Sequence, residues 1–420
     1  DFRQNLDLLH EAEFLFSDFV IPQGVPPVVA GMAPFFGILQ RFSHEVAETT
    51  GDPVFNTLHL EIARGLPHNV TTEMDLNLWK TAKILQGDSQ SRGVFQGGKA
   101  ADLTAAFLDG RLPPTAQQAL AGFLQAYGAR GLGEIDIGRP RWCEDPTQII
   151  QVLQSYLKIE APEMAPDLVF ERGGRAAEEA VDRLVAGVRR LRGGWIKALV
   201  VRWGAGRYRA LAGMREAPKF FAIRMMSIIR AGLLESGRAF VLAGLLERPD
   251  DLFFLYLEEL DEIGRKSEIA AHFPERIRER RQLRKREMLR RQIPRVLLSD
   301  GTAFYEGFAA PEDDNLVLNG DPVSPGRVEG RVRVVLDPLT TQLEPGEILV
   351  CPGTDPAWTP LFLAAGGLIM EVGGVMTHGS VVAREYGIPA VVGVHQATTR
   401  LETGQLVSVD GSSGQIILLP

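Results

Sequence analysis

Cysteine is scarce. The 420 residues contain two, Cys143 and Cys351, too few for a disulfide framework in a chain of this length. A reducing compartment, and so the cytoplasm, is the expectation. No signal peptide opens the chain and no uninterrupted apolar run reaches transmembrane length, so neither secretion nor a membrane span is expected. A surplus of positive charge is missing too: the net charge of −8 argues against a general polyanion binder. Strand-like alternation is scarce over the first 300 or so residues. No internal repeat and no regular succession of strand and helix units occurs there, which argues against a (β/α)8 barrel. In a cytoplasmic protein Asn69-Val70-Thr71 has only the form of a glycosylation acceptor.

What is present is an ordinary globular composition, 45% hydrophobic and 23% charged, in a chain long enough for two or three domains. It opens in helix-like sequence without a methionine, which suggests a segment of a longer protein. Apolar residues recur at helical spacing from Phe2 to Phe19 (Leu6, Leu9, Phe14, Leu15) and over 72–86, 101–109, 115–127, 147–157, 175–191, 194–211, 217–247 and 251–263. Gly, Pro and Asp punctuate 21–27, 51–53, 65–68, 110–114, 138–146 and 248–251. Residues 1–300 are therefore expected to be all-helical. The turn at Gly65-Leu-Pro-His68 leads into a helix with Thr71 or Thr72 as N-cap. Tyr127 to Trp142 is a glycine-rich loop carrying Arg130, Arg139 and Arg141. No strand precedes it, so a loop held by Arg–carboxylate pairs, with Glu134 and Asp136 as candidates, is favoured over a nucleotide fingerprint. Arg215 and Lys219 lie four apart on one helical face, which by spacing alone is a solvated basic face. Pro274 to Arg295 is strongly basic without aromatic interleaving, and reads as a solvated connector helix and not as a nucleic-acid site.

The last hundred residues differ. Gly326 to Val335, Glu347 to Cys351, 367–372, 389–394 and 405–418 read as short strands between Gly/Pro turns, giving a compact α/β domain over 315–420 after a polar linker at 301–314. One stretch organises it: a buried strand ending in Gly373-Gly374, a turn presenting His378, and a helical pattern from Ser380 to Tyr386 stopped by Gly387 and Pro389. A histidine at a helix N-terminus sits beside backbone N–H groups that lack intrahelical partners. That setting disfavours imidazolium and welcomes an attached phosphoryl group. His378 is read as a phosphohistidine, the alternative being a structural turn residue.

The wording of that segment, Gly-Gly-x-x-Thr-His-Gly-Ser-Val-Val-Ala-Arg-Glu-x-Gly-Ile-Pro-Ala-Val, resembles the swivelling phosphohistidine domain of phosphoenolpyruvate synthase, pyruvate phosphate dikinase and rifampin phosphotransferase. Thr354-Asp-Pro-Ala-Trp-Thr-Pro-Leu-Phe362 is similar to the same domain in rifampin phosphotransferases, and the three helical stretches resemble the substrate domain of that family. The resemblance runs from roughly residue 50 to the end. It implies a helical substrate-binding domain and a swivelling domain. In it, ATP charges His378 with its β-phosphoryl group, leaving AMP and phosphate, and His378 passes that group to a hydroxyl of a small molecule such as rifampin. Arg215, Glu216 and Lys219 match the family's Arg-Glu-x-x-Lys pattern near the accepting hydroxyl. Thr377, orienting the imidazole, and Arg384 are candidates to assist catalysis or hold phosphate.

No glycine-rich phosphate loop with a following lysine and no strand-rich segment with paired carboxylates is visible. ATP and Mg are therefore expected on an ATP-grasp domain outside this chain, in cis or in trans. Other readings are a phosphoenolpyruvate-synthase-like dikinase, a kinase of another natural product, and a non-enzymatic carrier charged by a partner.

Overall fold

The computed structural model describes residues 2–14, 25–159, 165–266, 273–290, 294, 296–304, 316–338, 341, 343–355, 358–362, 364–375 and 377–420. Its first part is helical. In order come α1 (Phe2–Phe14), α2 (Val25–Thr50), α3 (Leu58–Glu61), α4 (Val70–Gly87), α5 (Ser89–Gly97), α6 (Ala100–Leu108) and α7 (Pro114–Tyr127). They are followed by α8 (Thr147–Tyr156), α9 (Pro166–Arg189), α10 (Gly194–Ala212), α11 (Ala217–Leu242), α12 (Leu257–Lys266) and α13 (Phe273–Glu287). A short hairpin, β1 (Val296–Leu297) with β2 (Ala303–Phe304), closes this part.

Local sequence explains most of these elements. Helix α9 begins at Pro166, where proline's missing N–H costs nothing, and buries Ala177, Ala180, Leu184, Val185 and Val188 at helical spacing. Helix α2 buries Met32, Leu39 and Val46, seven residues apart, against α9 and α10. The spacing analysis gave no helix over 28–50, and Pro34 inside α2 shows why: the proline and glycine content resembles punctuation. Helix α4 is capped by Asn69, whose Oδ1 accepts from Thr71 N at 3.0 Å, and not by Thr71 or Thr72. Both threonine hydroxyls are engaged elsewhere, with Arg130 and with Glu385. Helix α11 ends five residues before its expected limit, with Gly244 beyond it at φ 72°. The basic helix α13 is not simply solvated. Arg276 and Arg280 bind Glu259, Arg281 binds Asp251, and Arg284 reaches Asp136 at 2.9 Å.

The second part is an α/β unit. Its strands are β3 (Val317–Asn319), β4 (Asp321–Ser324), β5 (Arg327–Val334), β6 (Ile348–Cys351), β7 (Gly367–Met370), β8 (Ala390–Val392), β9 (Leu406–Asp410) and β10 (Gln415–Leu418). They form one mixed sheet in the order β3-β10-β9-β5-β6-β7-β8-β4, with β5 to β8 parallel. Helices α14 (Thr359–Phe362), α15 (His378–Tyr386) and α16 (Ala397–Arg400) lie among them. Strands β6, β7 and β8 are buried throughout, as parallel strands covered on both faces must be. Ile348, Val350, Ile369 and Val391 point to one core with Ala397 and Leu401. Their neighbours Leu349, Cys351, Leu368, Met370 and Val392 point the other way, into a cluster with Val382 and Tyr386 of α15 that continues into Leu78, Phe123 and Trp142 of the helical part. The histidine-bearing unit is thus packed onto the helices. The linker expected at 301–314 falls largely outside the described residues; Gly301 to Phe304 belong to the hairpin turn and β2.

Gly379, the second residue of α15, lets that helix sit on the sheet. A Cβ there would lie 2.5 Å from Thr354 Oγ1 and 2.8 Å from Met370 Sδ, whereas one on Gly374 would meet nothing within 4 Å. Gly379→Ala should destabilise the protein by about 1–3 kcal/mol through overpacking, and Gly374→Ala by no more than about 0.5 kcal/mol. Thermal unfolding of the two variants checks the contrast.

Candidate active site

The site is built on α15. Thr377 is its N-cap residue in extended conformation (φ −73°, ψ 159°), so His378 is the first helical residue. The Thr377 hydroxyl donates to Gly374 O at 2.8 Å and meets Ser380 Oγ at 3.0 Å, and Ser380 Oγ also donates to Gly374 O at 2.8 Å. These bonds fix the glycine turn that presents the histidine. At the other end Gly387 is left-handed (φ 69°); its N–H bonds Arg384 O, and Ile388 N bonds Ala383 O. This paired closure is why the chain stops there and turns into β8.

His378 faces the helical part. Its Nδ1 lies 3.7 Å from Glu216 Oε2, with 11% of the imidazole side chain and 9% of the glutamate exposed. Glu216 Oε1 is 2.5 Å from Arg215 Nη2. Burial pushes the Glu216 carboxyl up, but His378, Arg215 and Arg130 outweigh it and hold the group below the usual carboxylate range. Glu216 is an ionised acceptor in the site. One turn along α11, Lys219 Nζ lies 3.1 Å from Glu134 Oε1. Glu134 also takes both prongs of Arg130, at 3.0 and 3.1 Å, and its backbone carbonyl accepts from Arg141 Nη1 at 2.7 Å. Burial raises the Glu134 carboxyl, and Arg130 and Lys219 lower it further than burial lifts it. The favoured reading of the glycine-rich loop, Arg–carboxylate pairs, matches this arrangement, with Asp136 paired to Arg284.

The structure therefore brings His378, Arg215, Glu216 and Lys219 into one neighbourhood through residues from both parts of the chain. Thr377 belongs to the turn beneath the histidine. Arg384 is 1% exposed and donates Nη1 to Val323 O on β4 at 3.0 Å, tying α15 to its own sheet. Asn69, Thr72 and Asp75 receive the end of α15; the sequence offered Thr72 only as a helix cap and gave the other two no part in a site. Asn69 Nδ2 donates to Glu385 Oε1 at 2.5 Å, Thr72 Oγ1 meets Glu385 Oε2, and Tyr386 OH donates to Asp75 Oδ2 at 3.1 Å. A signal existed: the three lie three residues apart along one helical face, polar where that face should be apolar.

Residues 343–414 match the mobile domain of PEP-utilising enzymes, and residues 23–216 match the fourth domain of rifampicin phosphotransferase. The chain belongs to the family of rifampicin phosphotransferases and PEP-utilising enzymes. It is 38% identical over 357 residues to a rifampicin phosphotransferase of Streptomyces sviceus, covering 84% of this chain and 40% of that protein. A rifampicin phosphotransferase of Bacillus subtilis is 34% identical over 358 residues, with 84% and 40% covered. A prodigiosin synthesizing transferase of Serratia marcescens is 28% identical over 373 residues, covering 86% of this chain and 40% of that protein. The chain thus spans about two fifths of the length of these curated relatives. Among solved structures, an aconitase X of Thermococcus kodakaraensis aligns over 25% of this chain and 98% of its own, at 25% identity and a TM-score of 0.21, too low to carry an argument.

Removing Glu134 would leave Arg130, itself 1% exposed, as an unpaired buried cation. Glu134→Ala should cost about 3–5 kcal/mol of stability, read as a fall in the urea midpoint at unchanged slope. Because the folded carboxyl is depressed, the wild type's share from this group is present above its ordinary value of 4.5 and is lost as pH falls through the folded one. The gap between variant and wild type should therefore narrow in acid.

Proposed function

We propose that this chain is the acceptor-side part of a phosphotransferase. His378 carries a phosphoryl group and passes it to a hydroxyl of a small molecule held by the helical part. Residues 1–300 act as the substrate-binding domain, 301–314 as the hinge, and 315–420 as the swivelling domain. The observation that carries the reading is the position of His378: it begins α15 and faces Glu216, beside Arg215 and a turn away from Lys219. Family membership supports phosphoryl transfer as the reaction, and two of the relatives described above are rifampicin phosphotransferases. Met214, next to Arg215 in the chain, and Phe221, two residues beyond Lys219, are exposed and suit an apolar acceptor such as rifampin, with its hydroxyl toward His378.

The chemistry follows from the contacts. Glu216 directs an N–H at Nδ1, which leaves Nε2 as the phosphoryl-bearing nitrogen. With Nδ1 protonated, the leaving group in transfer is a neutral imidazole. The acceptor oxygen forms its bond to phosphorus as the Nε2–P bond breaks, and that electron pair returns to the ring. The hydroxyl proton passes to water. Arg215 and Lys219 steady the charge on the phosphoryl oxygens. Thr377 and Arg384 act as positioning residues, the first by holding the histidine turn and the second by holding α15 on the sheet. Among the described residues no group of three or more His, Cys, Asp or Glu could hold a metal ion. In this reading ATP and Mg belong to an ATP-grasp domain in cis or in trans, which charges His378 from the β-phosphoryl of ATP with release of AMP and phosphate.

The test is labelling from β-labelled ATP with an ATP-grasp part supplied. Acid-labile, base-stable label is expected on the wild type and none on His378→Ala; equal labelling of both would sink the reading. Glu216→Gln should still take up label but, having lost the charge that holds the Nδ1 proton, pass it to rifampin or another alcohol roughly 100-fold more slowly. Undiminished labelling of Thr377→Val would remove Thr377 from the mechanism.

A further inference from the structure

The far end of α15 is as deeply buried as its beginning. Glu385 is 0% exposed and Tyr386 is 7% exposed, both enclosed by the helical part. The hydrogen-bond partners of Glu385 are neutral: the amide of Asn69 on one oxygen and the hydroxyl of Thr72 on the other. Beside them Asp75, also 0% exposed, accepts from Tyr386 OH, and its Oδ1 has no hydrogen-bond partner. Two carboxyl groups thus share one dry pocket in which neutral groups make the hydrogen bonds. Burial of this kind disfavours an ionised carboxylate; the donors Asn69 and Thr72 act the other way on Glu385, and burial outweighs them.

The surrounding charges do not reverse this. From the turn ahead of α11, Glu216 opposes ionisation of Glu385 and Arg215 favours it. On α4, Glu385 raises the affinity of Asp75 for a proton and Arg130 lowers it. Tyr208 of α10 and Tyr156 of α8 face the same region, Arg384 lies next along α15, and Arg64 lies beside Gly387. Burial is the largest influence on Glu385 and lifts its carboxyl from 4.5 to about 7.

We propose that Glu385 seats α15 in its Asn69–Thr72 socket as a neutral carboxylic acid, so that docking of the histidine domain takes up a proton and undocking returns it to solvent. The proposal rests on the domain movement in the functional reading above. Undocked, Glu385 is an ordinary solvated carboxylate. Docking is favoured most below its ordinary pKa and weakens as pH rises from 4.5 to about 7. Over that range the ratio of docked to undocked forms should fall by about a hundredfold. Above it the ratio is level. The socket makes Glu385 a positioning residue, acting on His378 through the helix they share.

Hydrogen–deuterium exchange of the full chain tests this, read on the amides of residues 381–388 and corrected at each pH for intrinsic exchange. Wild-type protection should fall as pH rises from about 5 to about 8. In Glu385→Gln, whose amide copies the neutral acid, it should stay high and level. A level wild-type profile, or equal declines in both proteins, would overturn the proposal. The wild-type profile alone decides the matter should the variant not fold. No ATP or acceptor is used, so failure of His378 to take up label would leave this result standing and is told apart from it.

Discussion

Ionised groups removed from water must be matched by opposite charge and filled hydrogen bonds, and Glu134 is where the helical part meets that demand. It takes a two-pronged bond from Arg130, an ion pair from Lys219, and through its backbone carbonyl a bond from Arg141. Glu216 does the same for Arg215. These two carboxylates hold three cations, Arg130, Lys219 and Arg215, which leaves the cluster next to His378 with one more positive than negative charge. That surplus is what a dianionic phosphoryl group on the imidazole would need once desolvated. The carboxylates are what allow so many cations to be held at fixed positions in a poorly hydrated place.

The same logic links the two ends of α15. His378 at its start meets an ionised carboxylate, Glu216, which its own ring helps to stabilise. Glu385 at its end is a buried carboxyl group met by the uncharged Asn69 and Thr72. One helix of nine residues spans both contacts, and a span of about 13 Å is short enough to behave as a rigid bar. Seating the end therefore sets where the histidine stands. Gly173 on α9 is part of this fit, since a Cβ there would lie 3.0 Å from Glu385 O.

Much of this was legible in the sequence because glycine and proline mark turns for stated steric reasons. The strands around His378 and the stop of α15 at Gly387 were expected where they lie, and α15 begins at His378, two residues ahead of the expected Ser380. The Arg130–Glu134 pair was readable because the two residues are four apart. Helix α2 was hidden by Pro34 and by glycines that its packing against α10 tolerates. The cap of α4 was misassigned for a different reason. Thr71 and Thr72 are good caps by chemistry, but the hydroxyl of Thr72 meets a residue 313 positions away. Contacts over such separations leave no mark in local spacing, and the Glu216–His378 and Asn69–Glu385 contacts were illegible on the same grounds.

The histidine turn and α15 must satisfy a fixed geometry at both ends, so little variation is compatible with the chemistry proposed for them. Exposed Met214 and Phe221, proposed to meet the acceptor, are under no such requirement within the fold. A prodigiosin synthesizing transferase and rifampicin phosphotransferases can therefore resemble this chain over similar lengths while bearing different names. In the reading offered here, α15 delivers the phosphoryl group and the helical surface selects its acceptor.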